Sequence, residues 1–278
     1  MNNIKIITLH PIFNESAIVL SQRLKVDILT TFDPSANEIY IVYGAHEKAV
    51  ELLNHQQHLK HSYGYIIMNS ESPSSNALRN KYYIELMKTN IVFDYHSVSS
   101  YYLKTIHDIT VRSYHFFDFP HYEMEETERD IDILFVGTHS KKREEVFIQL
   151  QFQYPDKKIE FVFDNSLIAP IELTKKLQKT KVVLNIPFYE HKVLETHRIN
   201  KALSCGCKVV SKKSGDETTD NLYGDYIYFV DEYTDSIDLN KIKKPYTELQ
   251  SILTNNLTAN NKWYIEQMIA KIKKSNNI

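Results

Sequence analysis

The stretch KVVLNIPFYEHKVLETHRINKALSCGCKVVS, residues 181–211, decides the fold. Its apolar opening reads as a buried strand that reaches its end at Asn185. A polar loop follows, Glu195, His197 and Arg198 open a helix, Gly206 stops it, and CKVVS (207–211) forms a second buried strand. Continuous rather than alternating apolar residues in such strands mean a parallel sheet covered on both faces. The first turn of the helix is loaded for a phosphorylated, hydroxyl-rich ligand. Amide groups at a helix start attract phosphate, an Arg fork grips it, and a carboxylate accepts hydrogen bonds from sugar hydroxyls. A solvated helix start with an i,i+3 Glu195–Arg198 pair accounts for the same residues equally well.

The alternation extends outward in both directions. Strands are expected at 4–9, 26–32, 38–43, 65–69, 91–95 and 111–117, with helices at 14–23, 46–58, 75–88 and 97–107. After the acidic segment HYEMEETERD (121–130) the pattern restarts with IDILFV (131–136), which looks like a second first strand. Helices at 141–153, 170–179 and 195–205 then alternate with strands at 158–163, 181–186, 207–211 and 226–230. Helical segments near 233–254 and an amphipathic one at 259–274, with Trp263, Ile265, Met268, Ile269 and Ile272 on one stripe, complete the chain. The fold class is therefore α/β, as two Rossmann-like domains at 1–125 and 126–258. A single larger doubly wound sheet is the alternative.

Composition excludes several function classes. The 278 residues are 42% hydrophobic and 24% charged with a formal charge of −2, so nothing global favours nucleic acid or an anionic membrane. No apolar run approaches the ~20 residues that span a bilayer. The N-terminus MNNIKIITLH leads straight into a strand without a signal-peptide layout. Cys205 and Cys207 suit neither a disulfide framework nor a zinc site, so free thiols in a reducing cytoplasm are expected. With six glycines and neither GxGxxG nor GxxxxGK[ST], a dinucleotide fingerprint and a P-loop are absent.

Ligands of open α/β sheets bind beyond the carboxyl ends of the strands. That rule selects His10 and Asn14, Gly44 and His46, Asn69 and Glu71, and Asp94 and His96 in the first half. In the second it selects Gly137, Thr138, Lys141, Lys142 and Arg143, then Asp164 and Asn165, then Asn185 through His191. Helix capping is the competing fate of the Asp, Asn and Ser residues among them. In FVGTHSKKR, Gly137 lets the backbone approach a ligand; Lys142 and Arg143 oppose the helix dipole, so they either counter a bound anion or are solvated surface cations, the reading preferred for Lys141. No HExxH and no DxD at a strand end point to a metal, and no GxSxG elbow points to a serine hydrolase.

YIIMNSES, KYYIELMKTNIVFDYHSVSSYYL, DIDILFVGTHSKKREEVFIQL and the 181–211 stretch occur in an order and spacing that resembles a glycosyltransferase of the GT-B fold. The group is the small one related to CgeB-like and group 1 transferases, and the resemblance covers about residues 60–235. It implies a cleft between the two domains, with the nucleotide-sugar donor mainly on the second and a helix at 259–278 crossing back to the first. By matched position, Gly137 and Arg143 would lie near the donor phosphates and Glu195 and Arg198 near the ribose or diphosphate. Thr138, Asn185, His197 and Asn200 complete the expected donor set. An inverting enzyme would need a base on the first domain, for which Glu71, Asp94 and His96 are the candidates. One departure is Lys201, where many group 1 relatives carry Glu; if that Glu holds the ribose, either Glu195 takes its place or donor binding is altered.

The implied activity is transfer of a sugar from a nucleotide-diphosphate donor, UDP-sugar favoured, to a glycan or other hydroxyl acceptor, as in polysaccharide biosynthesis. The donor is a substrate, and neither cofactor nor metal is expected. A catalytically silent GT-B-like module that binds nucleotide or glycan is the second reading. An epimerase or phosphorylase-like enzyme is the third.

Overall fold

The computed structural model describes residues 4–29, 38–58, 64–113, 117–122, 129–163, 168–189, 193–235, 244–256 and 270. The chain divides into two compact units, Met1–Asp118 with Ile252–Ile278, and Phe119–Ser251. The junction expected near residue 125, the helix at 259–278 (Ala270 aside), and Asp164, Asn165 and His191 lie outside the described residues.

In the first unit β1 (Ile4–Thr8), α1 (Asn14–Leu24), β2 (Asp27–Leu29), β3 (Ile39–Tyr43) and α2 (Ala49–Gln56) are followed by β4 (Tyr65–Asn69), α3 (Lys81–Lys88), β5 (Ile91–Asp94), α4 (Ser97–His107) and β6 (Val111–Ser113). All six strands pair in parallel in the order β2-β1-β3-β4-β5-β6. Every residue of IYIVY and YIIMN is buried, as a central parallel strand requires. Ile7, Val42, Ile67 and Val92 pack with Leu52, Leu86 and Leu103 of the helices, and each such side chain contributes roughly 1.5–3 kcal/mol on burial. Buried tyrosines need partners for their hydroxyls: Tyr65 donates to the Leu52 carbonyl, and Tyr83 to Asn69 Oδ1.

Two expected helices are shorter than their patterns. Each begins as a 3-10 turn, at Ala45–Lys48 and Ala77–Arg79. In the second, Asn80 turns extended and its side chain accepts from the Tyr82 amide, so α3 starts afresh at Lys81.

The second unit runs β7 (Ile131–Val136), α5 (Lys141–Gln153), β8 (Ile159–Val162), α6 (Pro170–Gln178), β9 (Thr180–Asn185), α7 (Thr196–Ser204), β10 (Lys208–Ser211), α8 (Glu217–Tyr223) and β11 (Tyr228–Phe229). The last described helix is α9 (Tyr246–Asn256), whose Gln250 side chain donates to the Phe119 carbonyl. The sheet is again wholly parallel, in the order β11-β10-β9-β7-β8. Phe135, Val182, Leu184, Val210 and Leu150 form its core. The sequence pattern omitted α8 because ETTDNLY has no apolar stripe; Asp216 nucleates it by accepting from the Thr218 and Thr219 amides.

Counted from its own first strand, the second sheet repeats the order of the first. In each the strand order reverses beside the first strand, between β1 and β3 and between β7 and β9. Such switch points open a crevice at the carboxyl ends of the strands. At the first, Gly44 turns the chain at φ 72°. A Cβ there would lie 3.2 Å from His10 Cβ and 3.3 Å from the His10 backbone nitrogen. Gly44→Ala therefore loses stability, by about 1–3 kcal/mol from left-handed strain and crowding, a shift that thermal unfolding measures directly.

Candidate functional site

The second switch point gathers most of the expected donor residues. Gly137 follows β7, and its amide is committed to the Val162 carbonyl at 3.2 Å. Its role is to lack a side chain. A Cβ on Gly137 would stand 3.0 Å from Phe135 Cζ, 3.1 Å from Arg198 Nη2 and 3.3 Å from Arg143 Nη1.

Arg143 is 1% exposed, a buried cation that must be paid back by hydrogen bonds. Its Nε and Nη2 donate to the Ile186 carbonyl at 3.0 and 2.5 Å, and Nη1 donates to the Thr138 carbonyl at 2.7 Å. The guanidinium also sits over the rings of Phe135 and Phe188, at 4.8 and 5.2 Å. Burial, and then the neighbouring Arg198, lower its pKa to about 10, so it stays charged at neutral pH. Arg143 thus ties the loop after β7 to the loop after β9.

Arg198 has a different setting. Its Nη1 donates to Asn185 Oδ1 at 3.0 Å and pairs with Glu195 Oε2 at 2.5 Å, while its side chain keeps 20% of its surface. The other oxygen of Glu195 lies 3.4 Å from Arg143 Nη2. One carboxylate therefore lies against two guanidiniums, one buried and one partly exposed. Asn185 is buried; its Nδ2 donates to Ser211 Oγ, and its carbonyl accepts from the Tyr233 hydroxyl. Ser211 and Tyr233 were not expected here. Ser211 stands beside Asn185 in the β9–β10 register, a pairing that a parallel-sheet alignment of the two strand ends would have revealed.

The remaining expected donor residues make other contacts. Thr138 is exposed and lends its carbonyl to Arg143. His197 sets its ring edge-on against Phe119 at 5.1 Å. Asn200 is buried and accepts from the Tyr223 hydroxyl at 2.8 Å, joining α7 to α8. Lys201 is also buried, its ammonium donating to Thr174 Oγ1 at 2.8 Å and to the Tyr122 hydroxyl at 3.0 Å. It clamps α7 to α6.

In the first unit the carboxyl ends of β4 and β5 carry a polar network. Asn69 Nδ2 donates to Asp94 Oδ2 at 2.6 Å, and the His96 amide donates to Asp94 Oδ1 at 2.9 Å. Asp94 is fully buried, and burial raises its pKa to about 7 against those hydrogen bonds. His96 is equally buried; its Nδ1 caps α4 by accepting from the Val98 amide. Glu71 is partly exposed, with Oε2 accepting from Ser75 Oγ at 2.6 Å and Oε1 lying 3.5 Å from His46 Nδ1. Among the described residues, no group of three or more His, Cys, Asp or Glu side chains is placed to hold a metal ion, and no helix is long and apolar enough to cross a membrane.

No protein-family model matches the chain, and no curated protein sequence matches it. Solved structures do. HepE from Anabaena, solved with UDP and glucose, superposes at TM-score 0.58 and 11% identity over 99% of this chain and 100% of its own. A UDP-forming α,α-trehalose-phosphate synthase from Burkholderia vietnamiensis gives 0.55 at 10% identity, over 87% of this chain and 76% of the synthase. A mutant of S. aureus TarM, solved with fondaparinux, α-GlcNAc-glycerol and UDP, gives 0.53 at 13% identity over 86% of this chain. This chain spans 55% of TarM, about half its length. These neighbours are GT-B glycosyltransferases, and the two parallel-sheet α/β domains of this chain have the GT-B fold. The likeness is one of fold; it supports the GT-B class and singles out no branch within it.

The buried Asp94 makes a pH signature. The folded chain holds its proton up to about pH 7, whereas an unfolded carboxyl releases it near 3.8. The fold therefore loses this contribution as pH rises through that window, and it is flat above it. Thermal unfolding of Asp94→Asn against the wild type should show a difference that moves in favour of the variant as pH climbs from about 4 to about 7. A difference independent of pH would contradict the buried, proton-holding carboxyl.

Proposed function

We propose that this chain is a glycosyltransferase that moves a sugar from a nucleoside-diphosphate donor, UDP-sugar favoured, to a glycan or other hydroxyl acceptor. The observation that carries the proposal is the partly exposed Arg198 guanidinium at the second switch point, braced by Glu195 and Asn185 beside a bare Gly137. A fold shared with transferases solved with UDP supports the same reading.

Sugar transfer leaves a nucleoside diphosphate that gathers negative charge as the glycosidic bond opens, while the sugar ring becomes oxocarbenium-like. Arg198 meets that charge with its remaining donors. Arg143, whose donors serve carbonyls, holds the surrounding loops at fixed distance and adds positive potential. Glu195 either keeps Arg198 aimed or accepts from a donor hydroxyl. Metal-independent transfer is part of this proposal, since the cationic pair supplies the compensation. Polysaccharide biosynthesis in the cytoplasm is its natural setting.

One observation favours the silent binding module instead. Lys201 stands where many group 1 relatives carry Glu, and its ammonium is committed to Thr174 and Tyr122. Turnover of a nucleotide-sugar separates the two readings.

Arg198→Ala should weaken UDP binding by roughly 10- to 100-fold in calorimetric titration, the loss of a charge-assisted contact of about 1.5–3 kcal/mol. Arg143→Ala should instead lower the melting temperature, because it strands the Ile186 and Thr138 carbonyls. Unchanged UDP affinity in Arg198→Ala would sink the site assignment.

A further inference from the structure

The polar network at the ends of β4 and β5 depends on one amide. Asn69 is completely buried and uses each half of its side chain twice. Its Nδ2 donates to Asp94 Oδ2 at 2.6 Å and to the Glu71 carbonyl at 3.3 Å. Its Oδ1 accepts from the Tyr83 hydroxyl at 2.9 Å and from the Glu71 amide at 3.3 Å. Asn69 therefore holds both backbone groups of Glu71, near the start of the loop SESPSSN at 70–76. Other bonds of that loop stay within it. Ser75 and Ser70 hydroxyls donate to the Glu71 carboxylate, and the Ser75 amide donates to the Ser72 carbonyl.

Asp94 decides which way the Asn69 amide faces. Its Oδ1 accepts from the His96 amide and its Oδ2 from Asn69, so both oxygens act as acceptors, the pattern of an ionised carboxylate. A neutral carboxyl carries a proton that needs an acceptor, and a buried proton left unbound is costly. The Nδ2 that faces Asp94 cannot accept it. Turning the amide over brings Oδ1 to Asp94 to take that hydrogen bond. Nδ2 then donates to the Tyr83 hydroxyl, which accepts as readily as it donates. The same turn sets Nδ2 against the Glu71 amide and Oδ1 against the Glu71 carbonyl, so both backbone bonds are lost.

We propose that Asp94 and Asn69 form a proton-operated latch, which fastens the loop at 70–76 to the end of β4 when Asp94 is ionised and frees it when Asp94 is protonated. The latch lies wholly within the first unit and is independent of the transferase reading.

Its surroundings set the working range. Burial raises the Asp94 pKa to about 7 and the Glu71 carboxylate pushes the same way, against the hydrogen bonds from Asn69, His96 and Tyr95. The latch therefore opens as pH falls through that value. Tyr83, reaching in from α3, is held well above its ordinary pKa by burial and keeps its hydroxyl proton throughout. His96 meets Asp94 through its backbone amide, while its Nδ1 accepts from the Val98 amide. His46, in the turn after β3, places Nδ1 3.5 Å from Glu71 Oε1. A proton gained by His46 draws Glu71 closer and so opposes release.

Amide hydrogen exchange followed by NMR tests the latch, with each rate divided by the intrinsic rate at the same pH. In the wild type, protection of the Glu71 amide should fall roughly tenfold from about pH 8 to about pH 6, the loss of a modest hydrogen-bonded hold. Ile67, buried in β4, should not change. Asp94→Asn puts an N–H donor where the carboxyl proton would be, so it should leave Glu71 at the low protection at both pH values. His46→Gln should keep the wild-type fall. Wild-type protection of Glu71 that agrees within about twofold at the two pH values would overturn the latch. So would a fall that Ile67 shares, a fall that vanishes in His46→Gln, or a folded Asp94→Asn chain that protects Glu71 at the higher pH as the wild type does. If Asp94→Asn does not fold, the wild-type and His46→Gln comparisons decide by themselves.

Discussion

A single carboxylate between two guanidiniums organises the strand-end loops of the second unit. Glu195 lies 2.5 Å from Arg198 and 3.4 Å from Arg143, and without it the two cations would oppose each other across a small gap. The repulsion is already visible in Arg143, whose pKa is depressed first by burial and then by Arg198. Burying Arg143 is tolerable because two backbone carbonyls and two aromatic faces receive it. Those same bonds fix the loops that follow β7 and β9, and the crowding they create leaves no room for a side chain at 137. Four separate segments of sequence answer to this one electrostatic arrangement.

The two sheets repeat one strand order and place different chemistry at the same topological point. Beside the β7/β9 reversal stands a cationic set suited to anions. Beside the β1/β3 reversal, and along the neighbouring ends of β4 and β5, stand imidazoles and carboxylates. Burial sorts the latter. Asp94 and His96, sealed from solvent, hold the strand end and cap a helix, whereas Glu71 and His46 keep part of their surface. Fold alone does not assign chemistry.

Much of this was legible in the sequence because parallel strands announce themselves as continuous apolar runs. IYIVY, YIIMN and IDILFV read as strands, and they are strands. The shorter helices after β3 and β4 were less legible, since Asn80 breaks a pattern whose periodicity runs on past it. Helix α8 left no periodic trace at all. For the site, the strand-end rule reached Gly137, Arg143 and Asn185, and the reading of the helix start at 195 added Glu195 and Arg198, which gather with them. It could not distinguish Arg143 from Arg198, because only packing shows which guanidinium spends its donors on carbonyls. It reached His46 and Glu71 as separate strand-end residues without showing that they meet, since 25 positions part them and their approach depends on the β3–β4 pairing. Asn200 illustrates the opposite case: it sits in the same helix turn as the site but faces Tyr223.

The most direct measurement is a crystal structure of the chain grown with UDP. The diphosphate should lie within hydrogen-bond distance of the Arg198 guanidinium at the β7/β9 switch point, with Arg143 still on the Ile186 and Thr138 carbonyls. A diphosphate bound elsewhere, with Arg198 still engaged only by Glu195 and Asn185, would contradict the central claim.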